Sequence, residues 1–431
     1  MKRLLLSSLL LLATSFTADA AIRVIVRTER GLLPLKTACL LTGCNVVRSL
    51  DAQGKVFLLT IPDLLPINLL QLNLSLTLGG ISLELDTAVN LVEDAAAGSP
   101  PAALADRSLT NYFGSVVWNG YANQPAAGII RLPEARQEFG VDGAGVVAII
   151  DTGVSRTHPA LSGVLLPGYD FLNNTPQVPD EEGDVTQSVS PVLDGGPLPV
   201  NSSTLAILGL LDLPLISTLT SPQYSAFGHG TMVAGVVHMV APRAQILPLR
   251  AFRKDGTGYL SDVIRAVYYA ADQRANVLNM SFSFGKQSAA LNRALEYASG
   301  RGTILVAAAG NDGTSAQVWP AASPAVMGVA STNHFDQRSS FSNFGPGLVW
   351  VAAPGEGIVT TYPFNSYSAA WGTSFSAPMV AGTVALLLDA GGNPSAQQAA
   401  AAIAHARYPS PELGNGRLDI QSALLAWIQS H

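Results

Sequence analysis

The sequence predicts an α/β fold on a mostly parallel central sheet, preceded by a small β-rich or α+β domain. Three observations predict it. Beyond residue 140, short apolar runs alternate with helical patterns, which implies a parallel sheet with helices packed on it. Strictly alternating segments are confined to the N-terminal part. The length, 431 residues with 48% apolar side chains, suffices for one large core and a smaller one. Only 13% of residues are charged and the net charge is −6, so neither a basic footprint for nucleic acid nor an acidic tail is present.

Residues 1–20 read as a secretory signal: Lys2 and Arg3, the apolar run Leu4 to Leu12, then Ala18-Asp-Ala20 before Ala21. The run is short for a bilayer span, so an uncleaved anchor is the weaker alternative and no stable membrane insertion is expected. The expected address is extracellular or periplasmic. Cys39 and Cys44, the only cysteines, are able to pair in an oxidising compartment, whereas two close ligands without a nearby His make a poor metal site.

Residues 21–94 form the first domain. It opens with the strand-like Ile22 to Arg27 and continues through Val56 to Ile61. Leu70 to Leu78 and Ile81 to Leu85 alternate strictly around Gly79-Gly80, which predicts a two-residue hairpin. Residues 95–108, rich in Ala, Pro and Gly at their start, read as an exposed linker and a natural place for a proteolytic cut.

The second domain, 109–431, carries predicted buried strands at Val146 to Ile150, Ile246 to Leu249, Val277 to Met280, Ile304 to Ala308 and Val326 to Ala330. Predicted helices are Thr231 to Met239, Ser261 to Gln273, Ala289 to Ser299 and Pro378 to Ala390. Residues 170–227 lack periodicity and read as a self-packed surface insertion, with the apolar Leu205 to Ile216 as a hairpin, a lid or a partner-facing patch.

Chemistry-bearing residues fall at the ends of these elements. Asp151-Thr-Gly153 follows the first strand; it is a plain turn in one reading and an aspartic-peptidase signature in another, but no second copy exists to complete such a site. Gly143-Ala-Gly145 precedes that strand instead of following it, which removes a dinucleotide fingerprint. His229 is enclosed in Gly228-His-Gly-Thr231 at a helix start, where flanking glycines let other groups approach the imidazole. No His-Glu-x-x-His zinc motif occurs, and His158, His238, His334, His405 and His431 lack a comparable setting. Asn311 closes another strand, either as a turn residue or as an amide donor. Ser374 lies ahead of Pro378 and an apolar helix, near the positive end of its dipole. The order Asp, His, Ser differs from that of α/β-hydrolases and of chymotrypsin-like chains.

With Ile150-Asp-Thr-Gly-Val154, Gly228-His-Gly-Thr231, Ala309-Gly-Asn311 and Gly372-Thr-Ser-Phe-Ser-Ala-Pro378 in this order, the chain resembles the subtilisin-like serine peptidases, the subtilase family (peptidase family S8), from about Ile129 to Ala426. The resemblance implies a subtilisin-like three-layer fold and a secreted serine endopeptidase acting on proteins or peptides. It makes Ser374 the nucleophile, His229 the general base, Asp151 its orienting carboxylate and Asn311 an oxyanion donor. It assigns substrate binding to Gly258 and Tyr259 on one side of a channel, Ser281, Phe282 and Ser283 on the other, and Ala308 and Gly310 at the primary pocket. It makes the N-terminal segment a propeptide that assists folding, caps the site and is cut off by the enzyme itself. The alternative is a catalytically inactive homologue serving as a scaffold.

Several positions depart from the family pattern. Met232 and Met379 stand where many members have His, and Ser283 where many have Gly. The calcium loop that secreted subtilisins insert is missing between Gly235 and Ala241. No cofactor is required by the implied reaction, and calcium as a structural ion has no clear motif; Asp180-Glu-Glu-Gly-Asp184 reads as a solvated acidic loop.

Overall fold

The computed structural model describes residues 21–62, 66–91, 98–177, 180–185 and 221–430. The predicted signal and the apolar run 205–216 lie outside them. Two compact units emerge: one takes in the described residues up to Ser49 and Gln53–Leu85, the other Leu50–Ala52 and the chain from Asp86 onward.

The first unit runs β1 (Ile22–Thr28), α1 (Leu32–Thr42), β2 (Asn45–Ser49), β3 (Val56–Ile61), α2 (Ile67–Leu78) and β4 (Ile81–Leu85). Its sheet has the order β2-β3-β1-β4 with all neighbours antiparallel, a βαββαβ arrangement. Val24, Val26, Phe57 and Leu59 of the sheet share one core with Leu35 and Ala38 of α1 and Leu70, Leu74 and Leu78 of α2. The hairpin predicted over Leu70 to Leu85 is therefore half wrong. Leucine at every second position also supplies a helical i, i+4, i+8 set; Leu70, Leu74 and Leu78 are buried while Leu72 and Leu76 point outward. Leucine's good helix propensity lets the helical subset win. Helix α1 ends at Gly43 in the left-handed conformation, whose N–H bonds Cys39 O, and Cys39 and Cys44 form a disulfide across this turn.

The second unit contains β5 (Ala88–Asn90), the hairpin β6 (Leu109–Tyr112) and β7 (Ser115–Trp118), β8 (Val146–Asp151), β9 (Tyr169–Asp170), β10 (Gln245–Arg250), β11 (Thr257–Tyr259), β12 (Val277–Met280), β13 (Ile304–Ala308), β14 (Val326–Thr332), β15 (Val351–Pro354) and the hairpin β16 (Ile358–Tyr362) and β17 (Ser366–Ala370). Seven strands in the order β15-β14-β13-β12-β8-β10-β9 make a parallel sheet. The runs are apolar throughout because both faces are buried. Among the described residues its helices are the short α3 (Ala102–Ala105), α4 (Asn119–Ala122), α5 (Pro125–Ile129) and α6 (Leu132–Phe139), then α7 (His229–Val240), α8 (Leu260–Asp272), α9 (Ala289–Gly300), α10 (Thr373–Asp389), α11 (Ala396–Ile403) and α12 (Ile420–Gln429).

Three sequence expectations change here. The predicted linker is mostly exposed over its described residues but carries the short helix α3, with Leu104 buried; α4 packs so close that a Cβ on Gly120 would stand 1.7 Å from Ala103 O. The acidic stretch at 180–184 is not a solvated loop, since Glu181 is 1% exposed. Helix α10 starts at Thr373, five residues before Pro378, and not at the proline. Proline lacks the N–H that would bond the carbonyl four residues back, that of Ser374. Ser281 Oγ donates to that carbonyl at 2.8 Å instead, so the helix continues through the proline.

Candidate active site

The site assembles beyond the carboxyl ends of β8, β12 and β13. Asp151 is the last residue of β8 and His229 the first of α7, both buried. His229 Nδ1 lies 2.8 Å from Asp151 Oδ1, which also accepts the Thr152 N–H at 2.8 Å. Glycine at 230 is a packing requirement: a Cβ there would meet Gly153 O at 2.1 Å and Asp151 Cβ at 3.1 Å. That closeness lets the start of α7 press its imidazole onto the strand end.

Ser374 is the second residue of α10 and is 2% exposed. Its Oγ donates to Ser281 O at 3.2 Å, and the next residue, Phe375, packs its ring against His229 with centroids 5.5 Å apart. Asn311 follows Gly310, which has φ 96°. Asn311 Oδ1 accepts from Thr373 N at 3.0 Å and Thr373 Oγ1 at 2.9 Å. With the oxygen held there, the amide NH2 is turned the other way, and a Cβ on Gly372 would stand 3.1 Å from Nδ2. Thr373 Oγ1 accepts in turn from Gly310 N at 3.1 Å.

The remaining predicted site residues form two walls. Ser281 and Phe282 follow β12 and are fully buried, with Phe282 against Phe252 and Phe284 at centroid distances of 5.1 and 5.6 Å. Ser283 faces Gly310, where an added Cβ would lie 3.4 Å from Ser283 Oγ and 2.4 Å from Asn343 Nδ2. Ala308 is buried at the end of β13. Gly258 and Tyr259 lie on β11, and a Cβ on Gly258 would reach Ala251 O at 2.6 Å.

An extended segment of the same chain lies along these walls. Strand β5 pairs antiparallel with β11, Val89 opposite Gly258 and Ala88 opposite Tyr259. Leu91 N donates to Gly256 O at 2.9 Å, and Leu91 bridges antiparallel to Phe282. Upstream, the Asp86 carboxylate accepts from Ser261 N at 2.8 Å and Ser261 Oγ at 2.9 Å in the first turn of α8. Val89 and Leu91 are buried.

Sequence reasoning missed two participants, Thr373 and Glu181, and one role of a residue it did name, Ser281. Ser281 acts through its hydroxyl as well as its backbone, a role foreshadowed by Pro378 standing four residues after Ser374. Thr373 locks Asn311. Glu181 bonds the hydroxyls of Thr152 and Thr231, next to Asp151 and His229. Burial raises the Glu181 carboxyl to about 7, although the Thr152 and Thr231 bonds oppose the rise. Among the described residues, no group of three or more His, Cys, Asp or Glu is placed to hold a metal ion, and no helix is long and apolar enough to cross a membrane.

Comparison with known proteins agrees with this architecture. The model of the Subtilase family (Peptidase_S8) matches residues 143–419. A "Thermophilic serine proteinase" of Bacillus sp. (strain AK1) is 36% identical over 247 residues, 57% of this chain and 53% of that protein, so the match spans about half its length. "Thermitase" of Thermoactinomyces vulgaris is 34% identical over 270 residues, 60% of this chain and 80% of the relative. The crystal structure of a cold adapted subtilisin-like serine proteinase superposes with a TM-score of 0.51 at 30% identity, covering 65% of this chain and 90% of the other. The chain therefore belongs to the subtilase family of subtilisin-like serine peptidases.

Proposed function

We propose that this protein is a secreted serine endopeptidase that cleaves protein substrates through Asp151, His229 and Ser374 and removes its own N-terminal segment. The observation that carries the reading is the 2.8 Å bond from His229 Nδ1 to Asp151 Oδ1 beside a serine at the start of a buried helix. Asp151 holds the proton on Nδ1, which leaves Nε2 as the nitrogen that takes the Ser374 proton. Ser374 Oγ attacks the substrate carbonyl, and charge develops on its oxygen where Asn311 Nδ2, the Ser374 N–H and the α10 dipole favour it. The imidazolium returns its proton to the leaving amine, and water then releases the acyl group by the same steps. This reaction uses no cofactor.

Substrate binds as an added strand on β11, with Phe282 on the other side, in the manner of Ala88 to Leu91. The same geometry supports self-processing. Leu91 lies opposite Phe282, next to the Ser281 carbonyl that accepts from Ser374 Oγ. Gly98, where a Cβ would come 3.0 Å from Trp371 Nε1, lies against Trp371, which stands three residues before Ser374. The cut accordingly falls in the stretch joining Leu91 to Gly98, and residues 21–94 act as a propeptide. Secretion is supported by the predicted signal and by the Cys39–Cys44 disulfide.

A fluorophosphonate followed by peptide mass mapping tests the reading. Label is expected on Ser374, and the N-terminal segment should be lost from the wild type but retained by Ser374→Ala. Processed protein that takes no label would favour a non-catalytic scaffold. Loss of the segment from Ser374→Ala, expressed with no other peptidase, would remove self-processing.

A further inference from the structure

Glu181 is a buried carboxyl that the proposed reaction does not use. It opens a single 3-10 turn, Glu181–Asp184. Its Oε1 accepts from Thr152 Oγ1, and its Oε2 accepts from Thr231 Oγ1 and, at 3.2 Å, from Thr231 N. Thr152 is the residue after Asp151, and Thr231 lies two residues after His229. One carboxyl thus ties the turn that follows β8 to the first turn of α7.

Each threonine hydroxyl has one proton to give. Thr152 Oγ1 accepts from Gly230 N at 3.0 Å, and Thr231 Oγ1 accepts from Ser155 N at 2.8 Å. With Glu181 ionised, both hydroxyl protons point to it. Thr152 Oγ1 also lies 3.3 Å from Asp151 Oδ1, the atom that holds the imidazole, so Thr152 is the hydroxyl with a second acceptor within reach. Protonated Glu181 donates to Thr152 Oγ1, and the Thr152 proton turns to Asp151 Oδ1.

We propose that Glu181 is a positioning residue that sets the basicity of His229. Ionised, it draws both hydroxyls away and adds negative charge behind the imidazole; protonated, it passes the Thr152 hydroxyl to Asp151 and weakens that carboxylate's hold on an imidazolium. The proposal rests on the reading that Asp151 and His229 carry the reaction's proton. Both states of Glu181 occur near neutrality, because burial holds its carboxyl at about 7. The charged groups acting on it are Asp151 from β8 and Arg250 from β10, the latter paired with Asp184 at 2.6 Å; Asp180 and Glu182 are its neighbours on the turn, and His229 is reached through Asp151.

The test titrates His229 by NMR in full-length Ser374→Ala protein carrying 13C-labelled histidine, with and without Glu181→Gln. The Gln side chain keeps the shape and loses the charge, so the His229 midpoint should fall by about one pH unit. In Ser374→Ala alone, the His229 Cε1–H shift should move in two steps, one of them from Glu181. An unchanged midpoint in Glu181→Gln overturns the proposal; should that variant not fold, a single step in Ser374→Ala overturns it. In the active enzyme, Glu181→Gln should move the acid limb of kcat down by the same amount with KM unchanged. Because the titration uses a protein that cannot catalyse, absent peptidase activity in the wild type would sink the proposed function without touching this result.

Discussion

Ser281 touches Ser374 twice, and the two contacts have different consequences. Its Oγ supplies the donor that Pro378 cannot give to the Ser374 carbonyl, and its own carbonyl accepts from Ser374 Oγ. Ser281→Ala leaves a buried carbonyl without its donor, so stability should fall by about 1–3 kcal/mol, read from the urea midpoint at constant m-value. An unchanged midpoint would mean that another donor reaches Ser374 O. Asn311 differs in kind, because its oxygen is structural and its NH2 is the proposed oxyanion donor. Asn311→Leu should lower kcat by about 10²–10³, the magnitude known for such a donor in subtilisin itself, with KM little changed. A rise in KM at constant kcat would place Asn311 in substrate binding instead.

Among the elements, β5 is the most informative, since it is a three-residue strand held at an edge. Leu260 N donates to Thr87 O at 3.0 Å beside it. In a Ser374→Ala chain, Val89→Asp would bury a carboxylate against Gly258, so β5 should lift and hydrogen exchange at the Leu260 amide should rise by about tenfold or more. Exchange at the wild-type rate would show that the Asp86 contact with α8 suffices to hold the segment. This strand was illegible in the sequence, because Ala88-Val-Asn90 becomes a strand only through a partner far along the chain. The parallel strands were legible, as burial on both faces makes them continuous apolar runs; Val277 to Met280 and Ile304 to Ala308 lie where their patterns put them. Helix α2 was misread because alternating leucines satisfy both periods, and the start of α10 because a proline ordinarily marks a helix boundary. The motifs around Asp151, His229, Asn311 and Ser374 stand out as short contiguous strings. Glu181 and the Ser281 hydroxyl do not, since each matters through residues distant in sequence.

At the scale of the whole molecule, buried histidines couple stability to pH. Burial lowers His158 to about 4 and His238 to about 3, the latter with help from His158 and Arg136. His158 Nε2 donates to Ser366 O at 2.9 Å while Nδ1 accepts from Ala160 N at 3.2 Å, so a second proton would displace a bond already made. Unfolded histidines bind protons below about 6.5 and these do not, so stability should fall as pH drops from there toward 4. Glu181 works in the opposite sense between its unfolded value and about 7, where the folded protein holds the extra proton. Two histidines outnumber the one glutamate, so these three groups together favour neutral pH. His238→Gln should flatten the urea-derived stability between pH 4 and 6 by about 1.4 kcal/mol per pH unit, and an unaltered slope would mean that His238 is protonated in the fold. The strand β5 has a last consequence, which is one of concentration. While covalently joined on both sides, it faces β11 at an effective concentration of millimolar order, and a free peptide must outcompete that. After the proposed self-cleavage between Leu91 and Gly98 that local excess would vanish, and dilution alone would then be enough to free the site.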